Sequence, residues 1–150
     1  GKPAAVPESA LVAELAASDQ RVTHLAGVPY EEIPAYFCAS DVFFFPSHLE
    51  GYGIVVGEAM ASRLPVVTTR AKGIRGVVAE GETALVGDVG DVPAHAAHLR
   101  RLAGNAAERR TLGEAGRRRI ESHFDWDGII DSLMEVLERP IAEAAPCQTV

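Results

Sequence analysis

The sequence predicts an α/β domain built on a parallel sheet that is covered on both faces. Three short, continuous apolar runs, "DVFFFPS", "LPVVTT" and "TALVGD", have the length and composition of strands buried on both sides. Segments with helical spacing separate or follow them, the alternation expected of a parallel sheet with crossover helices. The chain has 150 residues, of which 47% are hydrophobic and 23% charged. That is ordinary soluble composition, in a length that fits one domain or a piece of a larger protein and buries roughly 68–70% of its unfolded surface.

The elements follow in order. "PESALVAELAAS" places Leu11, Val12 and Leu15 at helical spacing, with Ser9 as a candidate cap. "RVTHLAG" alternates and ends in glycine, so it reads as a strand. "PYEEIPAYFCAS" opens with Pro29 and two glutamates, a helix-start pattern, and Pro34 falls in its first turns. "DVFFFPS" is a buried strand closed by Pro46. "GIVVGEAMASR" is a helix, "LPVVTT" a second buried strand, and "KGIRGVVAEG" a loop with one short helical turn. "TALVGD" is the third buried strand. From Asp91 onward three helical segments follow: "DVPAHAAHLRRLAGN", "AAERRTLGEAGRRRIESHF" and "DWDGIIDSLMEVLERP". Residues 1–138 are thereby read as one domain. Residues 139–150, with two prolines and no period, are read as a frayed tail.

Charge and cysteine content narrow the function classes. A net charge of −7 argues against general nucleic-acid or anionic-membrane binding. No apolar run approaches the ~20 residues of a membrane span, and no signal peptide opens the chain. Cys38 and Cys147 form no CxxC and read as free thiols in a reducing cytoplasm. The start at Gly1 rather than Met reads as a fragment.

In a parallel sheet ligands bind beyond the carboxyl ends of the strands, which directs attention to the loop after "VFFF". There "PSHLEGYGIVVGEAM" carries Glu50 and Glu58 with seven residues between them. Gly51 and Gly53 let the backbone turn sharply and approach a ligand. Ile54 opens the following helix, whose first amides have no intrahelical partner and whose dipole favours an anion such as a diphosphate. Glu58 lies about five residues into the helix, roughly 7–8 Å along its axis. Its neighbours Val55, Val56, Ala59 and Met60 are apolar, so it is expected to be a buried carboxylate that needs hydroxyl partners. A ribose supplies two. Glu50 is placed to accept hydroxyls at the other end of the same ligand. Hydroxyls, diphosphate and hydroxyls in that order describe a nucleotide sugar.

At these residues the sequence resembles the retaining glycosyltransferases of GT-B fold, and within them the large family 4 with its E-x7-E motif. The resemblance rests on "PSHLEGYGIVVGEAMASRLPVV" and continues through "GETALVGDVGDV", "RRTLGEAGRRRI" and "HFDWDGII". It implies the C-terminal, donor-binding half of such an enzyme: a Rossmann-like domain, truncated at its N-terminus. Glu50 would bind donor-sugar hydroxyls near the reaction centre, and Glu58 would hold the ribose. Gly51, Tyr52 and Gly53 would present amides to the diphosphate. The resemblance implies no metal and no cofactor, only the nucleotide diphosphate sugar as donor. It also implies a strand with Arg and Lys, and an acceptor-binding domain, ahead of Gly1. The isolated chain is accordingly expected to be inactive. Arg63 stands where the family usually has Gly, Lys72-Gly73 where it has Gly-Gly, and Gly76 where it has Glu.

Other motifs have plainer readings. "DWD" (Asp125, Trp126, Asp127) is read as a helix cap and first turn, not a metal site. His95 and His98 are read as a surface pair at i, i+3 without a third ligand. Arg109-Arg110 and Arg117 to Arg119 are read as solvated faces, with an acidic membrane surface as the alternative partner. His48 beside Glu50, and Lys72 and Arg75 in the next strand-end loop, are further candidates for donor contact. An exposed sheet edge would favour self-association. The alternative functions are a non-catalytic nucleotide-sugar-binding module and a GT-B-fold nucleotide-sugar epimerase. A dinucleotide dehydrogenase is disfavoured because no G-x-G-x-x-G follows a strand near the start.

Overall fold

The computed structural model describes residues 7–138. The expected tail at 139–150, with Cys147, lies outside the described residues. The chain divides into two compact units, one ending at Ile33 and one starting at Pro34.

The first unit holds helix α1 (Pro7–Ser18) and a 3-10 turn at Tyr30–Glu32. Ser9 falls inside α1, so the helix starts earlier than a Ser9 cap would have it. The strand expected at "RVTHLAG" does not form. Alternation encodes an extended backbone, but a strand also needs a neighbour with which to exchange hydrogen bonds. Among the described residues, 21–27 join no ladder. Their start is instead tied locally, Arg21 N–H and guanidinium both donating to Asp19. Helix α2 (Ile33–Cys38) leads into the second unit and contributes the buried Phe37.

The second unit is the α/β sheet. Strands β1 (Phe43–Phe45), β2 (Val66–Thr69) and β3 (Ala84–Gly87) lie in the order β1-β2-β3, all parallel. Phe43 aligns with Val66, and Val66 with Ala84. Every residue of β2 and β3 is buried, so both faces of the sheet are covered there. The expectation of a buried strand at "DVFFFPS" needs correction: Phe43 and Phe45 of β1 are half-buried and Phe44 is exposed, because the helices pack on β2 and β3. Helix α3 (Ile54–Ala61) packs on β2, while α4 (Val92–Ala103) packs on β2 and β3. Val67 and Leu85 from the sheet meet Leu102 of α4 and Leu112 of α5 (Ala106–His123) in the core. Helix α6 (Trp126–Glu138) ends the described chain.

Caps place the helices. Asp91 accepts a hydrogen bond from Ala94 N–H at 3.0 Å, with Pro93 in the first turn of α4. Asn105 accepts from Glu108 N–H at 3.0 Å to open α5. Helix α3 ends in a Schellman motif: Leu64 N–H donates to Ala59 O and Arg63 N–H to Met60 O, both at 3.0 Å. That motif puts Arg63 at φ 58°, a left-handed conformation. For an L-residue this costs about 1–2 kcal/mol, against about 0.5–1 kcal/mol of extra chain entropy lost by glycine. Arg63→Gly is therefore expected to stabilise the protein by about 0.5–1 kcal/mol, read as a rise in melting temperature of about 1–4 °C. A lower melting temperature would show that the Arg63 side chain contributes more than its backbone costs.

The arginine runs are not simply solvated. Arg117 donates to Ala61 O at 2.6 Å, satisfying a carbonyl at the end of α3. Arg119 donates to Val77 O at 2.7 Å and Gly76 O at 3.1 Å. Arg109 donates to Leu102 O at 2.6 Å, at the end of α4, and reaches Asp41. These side chains staple α5 to the rest of the unit. Arg110 and Arg118 are exposed, as expected. His95 also departs from the surface reading: it is buried under β3 against Gly87 and Phe44, and His98 is half-buried. A histidine on the sheet-facing side of α4 is carried inward by the helical period.

Candidate functional site

The loop after β1 and the start of α3 lie at the carboxyl end of the parallel sheet, where the sequence placed the site. Two threonines of β2 hold this loop. Thr68 Oγ1 donates to Phe45 O at 2.8 Å, and Thr69 Oγ1 donates to Ser47 O. The loop after β2 braces it from the other side. A Cβ on Gly73 would sit 2.2 Å from Glu50 O and 2.7 Å from the carbonyl carbons of Glu50 and Gly51. Only glycine permits two backbones to approach so closely.

Glu50 is half-buried. Its Oε1 accepts from Gly51 N–H at 2.9 Å, with Tyr52 N–H at 3.4 Å. The amides read from the sequence as diphosphate donors thus already converge on a carboxylate oxygen, an anion supplied by the loop itself. Gly53 caps α3 at φ 77°, ψ 37°, a left-handed turn that a side chain would resist. Val56 and Gly57 N–H both donate to Gly53 O. The amides of Ile54 and Val55 are therefore the helix-start donors with no acceptor inside α3.

Glu58 lies on the second turn of α3 and borders a cavity of about 580 Å³ together with Tyr52, Gly53 and Ile54. Val77, Ile120 and Phe124 make its apolar wall. The expectation of a fully buried Glu58 needs correction. The residue is half-buried and is not without a partner in the protein. Helix α3 turns Val56, Ala59 and Met60 to the core, and this rotation leaves position 58 at the cavity rim.

The remaining candidates separate. His48 is exposed and borders a different cavity, of about 320 Å³, shared with Phe44, Thr69 and His95. Lys72 is exposed in the 3-10 turn Lys72–Ile74. Arg75, also exposed, lines a third cavity of about 370 Å³ beside Arg70 and Glu80. Arg70 was not singled out from the sequence. Its guanidinium pairs with Glu80 through both terminal nitrogens and with Asp88 through Nε at 3.0 Å. The hydrogen bond from Arg70 holds the Glu80 carboxyl below its ordinary value. Glu80, and then Asp88, hold the Arg70 guanidinium more firmly protonated than usual. An arginine directly after a buried strand was the available signal. Asp125 precedes α6 and Asp127 sits in its first turn, and Asp125 O accepts from Ile129 N–H, as a helix start requires. Among the described residues no three His, Cys, Asp or Glu side chains gather as a metal site would need, and no helix is long and apolar enough to cross a membrane.

The sequence over residues 4–119 matches the family model described as "Glycosyl transferases group 1". The chain belongs to this family. One relative is the MMP alpha-(1->4)-mannosyltransferase of Mycolicibacterium hassiacum, 37% identical over 143 residues, which cover 94% of this chain and 34% of the relative. Another is a D-inositol 3-phosphate glycosyltransferase of Corynebacterium efficiens, 38% identical over 147 residues, or 97% of this chain and 34% of the relative. Among solved structures, a sucrose-phosphate synthase from Thermosynechococcus elongatus superposes with a TM-score of 0.77 at 32% identity, covering 87% of this chain and 32% of that one. The parallel-sheet, Rossmann-like class read from the sequence is the class of these GT-B neighbours. The chain spans about a fifth to a third of the length of the first curated relatives it matches.

Proposed function

We propose that this glycosyl transferases group 1 chain is the donor-binding part of a retaining glycosyltransferase of family 4 type, using its E-x7-E pair on a nucleotide diphosphate sugar. The observation that carries the proposal is the convergence of Gly51 and Tyr52 amides on one carboxylate oxygen, directly before a left-handed glycine that opens α3. Donors that already hold one anionic oxygen are suited to another. Hydrogen bonds aimed at the leaving diphosphate would stabilise the charge that develops on it as the glycosidic bond breaks. Glu50, released to the sugar, would accept its hydroxyls. Glu58, at the cavity rim eight residues on, would accept from the ribose. The relatives' names, a mannosyltransferase and a D-inositol 3-phosphate glycosyltransferase, support glycosyl transfer as the reaction class. The acceptor side would belong to a domain preceding these residues.

The test separates the two glutamates. Glu58→Ala is expected to weaken nucleoside diphosphate binding about ten- to 150-fold, the equivalent of hydrogen bonds to a charged group worth about 1.5–3 kcal/mol. Glu50→Ala is expected not to weaken that binding, since its carboxylate competes with the diphosphate for the Gly51 and Tyr52 amides, and to lower turnover of the complete enzyme, since contacts at the reacting centre appear in the rate. Calorimetric titration with nucleoside diphosphates and steady-state kinetics read the two. Nucleotide binding unaltered in a folded Glu58→Ala protein would sink the ribose role. Binding of nucleoside diphosphate without turnover in the complete protein would favour the non-catalytic module instead.

A further inference from the structure

The cavity of about 370 Å³ at the carboxyl ends of β2 and β3 stands apart from the proposed donor site. None of its lining residues lines the cavity at Glu58. Its floor is Ile74, Val78 and Val86, all buried apolar side chains. Arg70, Arg75 and Glu80 supply its polar wall. Arg70 and Glu80 neutralise one another through paired hydrogen bonds. A guanidinium has five N–H donors, and Arg70 spends three on Glu80 and Asp88, so two remain. Arg75 differs: among the described residues it makes no hydrogen bond or ion pair, and neither does Lys72 three positions earlier. The unmatched charge of this cavity is therefore positive, on a protein whose net charge is −7. Diffuse attraction of anions is absent, so an anion held here would be held by these side chains.

We propose that this cavity is a second anion site, built for the phosphate group of a small phosphorylated molecule, with Arg75 as its principal ligand and Lys72, which opens the 3-10 turn that Arg75 ends, as the neighbouring cation. A planar guanidinium fork suits two phosphate oxygens at once, and a second cation matches the second charge of a phosphate monoester. The apolar floor keeps water from beneath the anion, which strengthens the pairing, and accommodates the non-polar face of the attached molecule. Ile74 forms part of this floor and also lies 3.6 Å from the Cβ position of Gly53. A phosphate bound here would thus sit across one side chain from the start of α3. The site uses neither Glu50 nor Glu58, and it reassigns Lys72 and Arg75, read from the sequence as candidates for donor contact, to a ligand other than the donor.

The experiment titrates the chain with inorganic phosphate, and separately with acetate and with a nucleoside diphosphate, by calorimetry at low salt. Phosphate is expected to bind, acetate to bind at least tenfold more weakly, and Arg75→Ala to lower phosphate affinity at least tenfold. Lys72→Ala is expected to lower it further, with a shallower salt dependence. Both residues are exposed, so thermal melting should show both variants folded. Nucleoside diphosphate affinity is expected to be the same in Arg75→Ala and the parent. Failure of phosphate to bind, equal phosphate binding by Arg75→Ala, or acetate binding as tightly as phosphate would each overturn the proposal. So would a parallel loss of phosphate and nucleoside diphosphate, which would place Arg75 in the donor site. Absence of nucleoside diphosphate binding with phosphate binding intact would instead count against the donor reading alone.

Discussion

Gly73→Ala is expected to cut turnover of the complete enzyme by about 10²-fold, the scale at which a displacement of ~1 Å in a reacting group is felt. The added Cβ would lie 2.2 Å from Glu50 O, and the atoms it meets are backbone on both sides, so no flexible side chain can yield. Either the Glu50 loop moves away or the 3-10 turn at Lys72–Ile74 does. The loop cannot move freely, because Thr68 and Thr69 hold Phe45 O and Ser47 O just ahead of it. Its displacement would move the carboxylate out of the geometry that its proposed donor role requires. Gly76→Ala, in the same loop, is the control: nothing lies within 4 Å of its Cβ position and its φ is not positive. It is expected to leave turnover within about twofold. Steady-state kinetics of both variants, with melting curves to confirm folding, decide the matter. Equal activity in the two would mean that the contact between the loops does not position Glu50.

Gly113→Ala is expected to destabilise the fold by about 1–3 kcal/mol, the usual cost of forcing an extra carbon into a packed interface. Alanine is the better helix former by about 1 kcal/mol, so the helix itself would favour the change. The contact opposes it: the Cβ would stand 2.1 Å from Arg63 O, part of the Schellman turn that ends α3. Relief requires α5 to lift from α3, which would also break the Arg117 bond to Ala61 O. A fall in melting temperature of roughly 2–12 °C follows for a chain of this size. Gly116→Ala, one turn along the same helix, should behave oppositely. Its Cβ would meet only the side chain of Met60, at 3.4 Å, and methionine is flexible enough to adjust. That variant is expected to be neutral or slightly stabilised. If Gly113→Ala melts at or above the parent temperature, the close approach of α5 to α3 does not limit stability.

Much of the fold was legible because it is encoded by local pattern. The three continuous apolar runs formed β1, β2 and β3, and the inference that both faces would be covered holds for β2 and β3 but not for β1, whose Phe44 is exposed. "EGYG" followed by "IVVGEAM" formed a turn and a helix at the carboxyl end of the sheet, as predicted. The short helical turn in "KGIRG" formed at Lys72–Ile74. The position of the site followed from the same facts, since a loop between a parallel strand and its crossover helix must lie at the strand's carboxyl end.

What the sequence determined by itself about this protein is the order of its elements, the parallel sheet and the placement of Glu50 and Glu58 around a glycine turn. Each depends on residues within a few positions of one another, where sterics and hydrogen-bond spacing leave few choices. The tertiary structure decided the rest. Arg117 and Arg119 became backbone staples because carbonyls 56 and 42 positions away face them. Gly73 and Gly113 became the points of closest packing because other segments' backbones lie against them. Residues 21–27 formed no strand because a strand exists only with a partner. Glu58 came to rest at a cavity rim, half-buried, because α3 turned its neighbours inward. Contacts between distant segments depend on how finished elements are brought together, and no local pattern carries that information.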